Sequence, residues 1–331
     1  MIIPELPWHA AQWHHIDTLQ NKDRLPHALF LKGPHGVGKQ QFAELLARRL
    51  LCLSGERDAC GICKGCRLAE ASSHPDFHRV APLEEGKSIG IPQIRTLIAS
   101  LNLTPSVGTR KLGLIAPAER MTLAAANSLL KTLEEPPGDS VLLLVSGLSA
   151  ILPATVRSRC QTLRFPAVTD ESAVEWLAPQ IPPNHDARSL LALTSGQPLS
   201  ALDWLESDVL QQRAELAAQL SDIATFKLTP LQAAQEWKKH GAQQVLASLT
   251  STLVALARSH LGVISESIVR VESEIMLQAH AEQLDLQGLF GLYDKCLALR
   301  RLLTTHPGLN EQVQLEEVAL RWHHIATSPK I

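Results

Sequence analysis

Apolar residues follow two rhythms along this chain. Short unbroken runs, Ala28-Leu29-Phe30-Leu31, Leu112 to Ile115 and Val141 to Val145, suit buried strands. Elsewhere apolar residues return every three or four positions, the spacing of one helix face. Phe42, Leu45, Leu46, Leu50 and Leu53 form one such stripe, and Ile94, Leu97, Ile98 and Leu101 form another over 91–101. Leu129, Leu130 and Leu133 share a face within AAANSLLKTLEEPP, and the paired prolines end that helix. Trp8, Trp13, Ile16 and Leu19 mark a short packing helix that leads into the first strand.

Past residue 165 the strand rhythm stops. Asp170 to Leu177 and Ser189 to Leu205 suit a small helical lid. Beyond Glu206 the pattern is almost wholly helical, with Leu210, Leu216 and Leu220 in one segment. Thr229-Pro230-Leu231-Gln232 reads as a capping box with proline at the first helical position. Val245 to Leu261 and Leu286 to Leu303 are long striped helices, and Leu309 to Ile325 closes the chain.

Composition sharpens this picture. At 331 residues the chain has room for two or three domains, each with its own core. It is 45% hydrophobic but 4% aromatic, which favours helices rich in Ala and Leu. A net charge of -2 gives no global basic signal, so contact with nucleic acid must be local or made through partners. No apolar run approaches a membrane span, and MIIPELPWHAAQW lacks the basic start and apolar stretch of a signal peptide. A cytoplasmic location is expected.

The first strand run feeds directly into GPHGVGKQ, residues 33 to 40. Strand, glycine-rich turn and helix form the setting of a phosphate-binding loop. Gly33, Gly36 and Gly38 let backbone N–H groups curl around a phosphate at a helix N-terminus, and Lys39 stands where a lysine reaches the outer phosphates. The next position needs a short hydroxyl to hold Mg²⁺, and Gln40 stands there instead. Residues fit to bind ATP or ADP therefore remain while magnesium-dependent hydrolysis is compromised. A vacant relic of such a site is the other reading.

Four of the six cysteines fall within 15 residues, Cys52, Cys60, Cys63 and Cys66, spaced C-x7-C-x2-C-x2-C. Four thiolates at such spacing can enclose one tetrahedral Zn²⁺, with Gly61 and Gly65 easing the turns between them. Four reduced, unliganded thiols are the alternative. His74 and His78 follow closely, but the cysteine set is already complete, so they read as surface or packing residues.

Two further strand ends bear on the chemistry. An active phosphate-loop ATPase follows its next core strand with Asp-Glu, one residue for Mg²⁺ and one for the attacking water. Here those positions are Ala116 and Pro117, with Glu119 two residues on. After the third run, TVRSRC places Arg159 between Ser158 and Cys160, with Arg157 a lesser candidate.

Taken together, GPHGVGK, the four-cysteine insert behind its helix, NSLLKTLEEPP and SRC resemble the clamp-loader branch of the AAA+ ATPases. The resemblance covers residues 1 to about 205 strongly and the rest more loosely. The motor subunits of that branch, gamma or tau, keep an intact loop and the Asp-Glu pair. This chain departs from them at Gln40, Ala116 and Pro117. It departs again at Leu199 in GQPLSAL, where a motor subunit carries a phosphate-sensing arginine. These departures match a non-hydrolysing member of the branch, with an active gamma/tau-type motor as the alternative.

The resemblance implies an α/β P-loop (AAA+) domain with a zinc insert over 1–165, a helical lid over 166–205 and an all-α collar over 206–331. It also implies that Arg159 reaches in trans into a neighbour's ATP site, where a planar, always-charged guanidinium stabilises the transferring phosphoryl group. The implied partners are the gamma/tau and delta subunits. Through the complex they also include the sliding clamp and primer-template DNA. A zinc-dependent nucleic-acid module is a third class of reading, and the lack of a basic face interleaved with aromatics argues against it.

Overall fold

The computed structural model describes residues 5–54, 58–84, 86–147, 152–261, 284–305 and 308–327. By internal packing the chain divides into two compact units. One comprises Met1–Trp176 with Gly196–Ser200, the other Leu177–Ser195 with Ala201–Ile331.

The first unit is built on five parallel strands: β1 (Ala28–Lys32), β2 (Phe77–Val80), β3 (Lys111–Ile115), β4 (Ser140–Ser146) and β5 (Gln161–Arg164), in the order β2-β3-β4-β1-β5. Its helices are α1 (Ala10–Asn21), α2 (Lys39–Leu50), α3 (Lys64–Glu70), α4 (Ile91–Leu101), α5 (Leu123–Ser128), α6 (Leu130–Glu134) and α7 (Ala154–Arg157). The three central strands are the apolar runs of the sequence. The edge strands β2 and β5 were not visible there, because each is four residues long and only partly buried.

Strand order explains where the helices lie. From β1 the chain crosses to the far edge in one direction, and every later crossover runs in the other. Right-handed connections then place α2 on one face and α4 to α7 on the opposite face. Ala28, Phe30, Leu142 and Leu144 share a core with Ile94, Leu97, Ala125, Leu129, Leu133 and Val156 from that second set. The alternating residues Leu29, Leu31 and Leu143 are equally buried on the side of α2, as period-two strands require. Gly113 in β3 has a steric reason: a Cβ there would lie 2.8 Å from Leu97 and 2.9 Å from Leu142.

Two helix expectations shift. The stripe beginning at Phe42 ends with Leu50, and Leu53 lies beyond α2 and largely exposed. The single helix expected through NSLLKTLEEPP is divided at Leu129. Ser128 Oγ donates to the Ala125 carbonyl at 2.6 Å, the acceptor an α-helix would give to Leu129. The Leu129 N–H turns instead to Ala126. The helical stretch from Ser189 to Leu205 comprises two helices, with Ser195 and Gly196 at positive φ between them and the second starting just after Gly196, where GQPLSAL suggested a helix start.

The remaining helices are α8 (Glu171–Leu177), α9 (Ala187–Leu193), α10 (Pro198–Glu206), α11 (Val209–Ala224), α12 (Pro230–Lys239), α13 (Ala242–His260), α14 (Leu286–Thr305) and α15 (Glu311–Thr327). The last five enclose one apolar core around Trp237 and Trp322. Each indole finds an acceptor: Trp322 Nε1 donates to the Leu220 carbonyl at 2.9 Å and Trp237 Nε1 to Gln219 at 2.7 Å. The capping box before α12 forms as expected. The Thr229 hydroxyl accepts from Gln232 N, and the Gln232 side chain accepts from Thr229 N. No described helix is long and apolar enough to cross a membrane.

Candidate functional site

The connections leaving β1 and β4 run in opposite directions, so their loops part at the carboxyl ends of these two strands, where open α/β sheets bind ligands. The loop 33–38 occupies that place. Gly36 and Gly38 have φ of +68° and +85°, and Gly38 forms the N-cap of α2. A side chain at Gly33 would collide with the Phe165 carbonyl, and one at Gly36 with the Ser200 hydroxyl. The Gly36 carbonyl accepts from Leu199 N at 2.9 Å. The glycines thus serve a close approach of surrounding chain as well as the curl of the loop.

The loop satisfies itself from within. Lys39 is buried and donates its ammonium to the Pro34 carbonyl. Burial pushes its pKa down to about 8, against the pull of Glu119. The Val37 carbonyl accepts from Trp8 Nε1 at 3.0 Å and from His9 Nε2 at 2.7 Å. His9 lies edge-on to Phe42 and Phe165, and burial holds it neutral, with a pKa of about 4. Neither Trp8 nor His9 announced this role in the sequence. Their bond is to a backbone carbonyl 28 or more residues away, which no local pattern encodes.

The ends of β3 and β4 are tied together. Glu119 Oε1 accepts from Gly147 N at 2.9 Å, and the buried second oxygen has no hydrogen-bond partner. The His35 ring lies over Gly147 so closely that a Cβ there would strike it, and His35 Nε2 is 3.9 Å from Glu119 Oε1. One oxygen of the carboxylate at this corner is therefore bound to a backbone amide beside the His35 imidazole, and the other is buried without a partner. Gln40, one residue past Lys39, is exposed.

Arg159 follows α7 on the surface, 35% exposed. It pairs with Glu134 at the end of α6, its Nε 2.8 Å from Oε1. This carboxylate belongs to the LEEPP run, which in the sequence marked a helix end and part of the family resemblance but not a partner for Arg159.

The four cysteines converge, with every sulfur within 4.8 Å of every other. Cys52 to Cys63 and Cys60 to Cys66 are each 4.0 Å apart. Sulfurs at the corners of a Zn²⁺ tetrahedron with 2.3 Å bonds stand about 3.8 Å apart, so the set fits a metal with little movement. Backbone amides already point at the sulfurs: Cys60 N to Cys52, Cys63 N to Cys60, and Leu53 N and Cys66 N to Cys63, at 3.3–3.4 Å. Burial opposes ionisation of Cys52, but the amide of Cys60 and the hydroxyl of Ser54 overcome it and hold the thiol down to about 6. Gly61 has φ +73°, and a side chain at Gly65 would strike the Leu51 carbonyl. His74 is buried and its Nδ1 accepts from Asp76 N at 3.1 Å, a packing histidine as expected.

A family model described as DNA polymerase III, delta subunit matches residues 8–169, and one for the C-terminal part of that subunit matches 207–324. DNA polymerase III subunit delta' of Pseudomonas aeruginosa is 32% identical over 319 residues, 96% of each chain. The subunit of the same name from Escherichia coli is 30% identical over 322 residues, 96% of this chain and 95% of that one. DNA polymerase III subunit tau of Bacillus subtilis is 31% identical over 169 residues, half of this chain and 30% of tau.

Proposed function

The chain belongs to the family of DNA polymerase III delta' subunits, and from that premise we propose that it is a non-hydrolysing member of a clamp-loader ring. In this reading it assembles with gamma/tau and delta subunits. Their ATP-driven cycle opens the sliding clamp and places it on primer-template DNA. This chain completes the ring and lends Arg159 to the ATP site of a motor neighbour. The work is cytoplasmic. Its domains are a nucleotide-fold body over 1–165, a lid over 166–205 and a collar over 206–331 that holds the oligomer together.

One observation supports this above others. Gln40, Ala116 and Pro117 stand where a motor subunit holds Mg²⁺ and polarises water, and Leu199 stands where it senses phosphate; Glu119, the nearby carboxylate, lies off those positions with one oxygen on Gly147 N and the other buried. Any nucleotide bound through Gly33, Gly36, Gly38 and Lys39 would have to take Lys39 from the Pro34 carbonyl. Such binding gains nothing from Mg²⁺. Cys52, Cys60, Cys63 and Cys66 hold one Zn²⁺ as a closed structural clip, since four thiolates leave no open coordination position.

The test is ATP turnover by the purified chain and by the reconstituted ring. The chain alone should show none, and an Arg159→Ala ring should assemble normally yet turn over ATP at least tenfold more slowly, the scale of a lost arginine finger being about 10³ or more at a single site. Phosphate release by the isolated chain would establish the gamma/tau-type motor instead.

A further inference from the structure

Arg159 does not swing freely on the surface. Its Nε and one terminal nitrogen both donate to Oε1 of Glu134, and the other terminal nitrogen donates to the Thr155 carbonyl at 2.8 Å. A guanidinium carries five N–H donors. Three are engaged, so one remains on each terminal nitrogen, a pair able to meet two oxygens of a single phosphoryl group.

Both anchors adjoin buried residues. Glu134 is the last residue of α6, and its neighbour Leu133 is buried. Thr155 precedes Val156, which is fully buried in the same core as Leu133. The carboxylate and the carbonyl that grip Arg159 therefore hang from one packed cluster. Glu134 takes the side edge of the guanidinium, formed by Nε and its adjacent terminal nitrogen. Two of the four terminal N–H donors stay uncommitted, whereas an arginine stored out of action would have all four engaged.

We infer that Glu134 is a positioning residue for Arg159, fixing the guanidinium so that its two remaining donors face the phosphate of a neighbouring subunit's ATP. The inference rests on the trans-arginine reading above. It assigns Glu134 no contact with nucleotide. Its role is to hold a long, flexible side chain in the orientation it needs before the neighbour arrives, so that less freedom is lost at the moment of reaction.

The experiment uses the reconstituted ring with Glu134→Ala, Glu134→Gln, Arg159→Ala and the Glu134→Ala/Arg159→Ala double variant. Sedimentation confirms assembly, and kcat and KM for ATP are measured in the presence of clamp and primed DNA. Glu134→Ala should lower kcat roughly fivefold with KM unchanged, a step on the scale of an exposed ion pair. Glu134→Gln, which keeps an acceptor oxygen, should recover most of the rate. The double variant should be no slower than Arg159→Ala alone. A normal or raised kcat for Glu134→Ala, or a double variant slower than Arg159→Ala, overturns the inference while leaving the trans-arginine reading in place. A normal rate for Arg159→Ala ends both.

Discussion

Lys39 donates its ammonium to the carbonyl of Pro34, five residues earlier in its own loop. The lysine is 5% exposed, and burial lowers its pKa from 10.5 to about 8. Between pH 8 and 10.5 the unfolded chain therefore holds a proton that the folded chain has released. Stability must rise with pH across this window, by roughly 3 kcal/mol from this group. In urea denaturation of Lys39→Met that rise should disappear, and the variant should exceed the parent in stability at pH 7. The same pH dependence in both proteins would show that the ammonium is well solvated.

The residue after Lys39, Gln40, bears on magnesium, because it stands where a short hydroxyl would hold the ion. Calorimetric titration of ATP into the purified chain should give the same result with Mg²⁺ as with a chelator. Tighter binding with Mg²⁺ would mean that Gln40 or Glu119 can be recruited as a ligand after all.

His9 titrates in the opposite range. Its pKa is held at about 4 by burial, with the bond to the Val37 carbonyl acting the other way. As pH falls from 6.5 towards 4, the unfolded chain gains a proton that the folded one does not, so stability is lost on acidification. Between pH 7 and 5 the expected loss from this residue is about 2 kcal/mol. His9→Gln, which keeps an N–H donor, should flatten this part of the profile. An unchanged slope would place a different group behind it.

Asp76 is buried, and burial alone would raise its pKa. The amides of Ser106, Val107 and Gly108 and the ammonium of Lys111, 2.9 Å away, overcome that and hold it down to about 2. Its folded value lies below the unfolded 3.8, so this contribution is intact above pH 4 and is lost as pH falls through 2. Asp76→Asn should cost about 2 kcal/mol at pH 7, and the gap from the parent should close at the acid end. A gap that persists at pH 2 would point to lost packing of the 106–108 turn as the main cost.

The cysteine cluster predicts one zinc per chain by elemental analysis. Removing it with a chelator should lower the melting temperature, and Cys60→Ser should both lower zinc content and weaken protection of α3 in hydrogen exchange. Since the insert lies outside the sheet, the amides of β1, β3 and β4 should stay protected. A metal-free protein with an unchanged melting temperature would leave the four thiols as ordinary cysteines.

Much of this was legible beforehand, for identifiable reasons. The strands β1, β3 and β4 are buried on both faces, so their continuous apolar runs stood out. The four cysteines and the loop glycines carry their chemistry in spacing. The edge strands did not show, because a half-exposed four-residue strand has too few core positions to set a rhythm. Nor did Glu134, His9 or Glu119, whose partners lie 25, 28 and 28 residues away. A side chain that acts on a distant backbone or guanidinium leaves no trace in its own neighbourhood. The division of α5 from α6 was hidden more locally, in the Ser128 hydroxyl claiming an acceptor that helical spacing alone assigns to Leu129.

The Val37 carbonyl, gripped by an indole and an imidazole, gives the loop a shape that owes nothing to a guest molecule. On the proposed reading, a loop held in this way keeps one shape through every round of ATP use, and the timing of the ring is left to its other members.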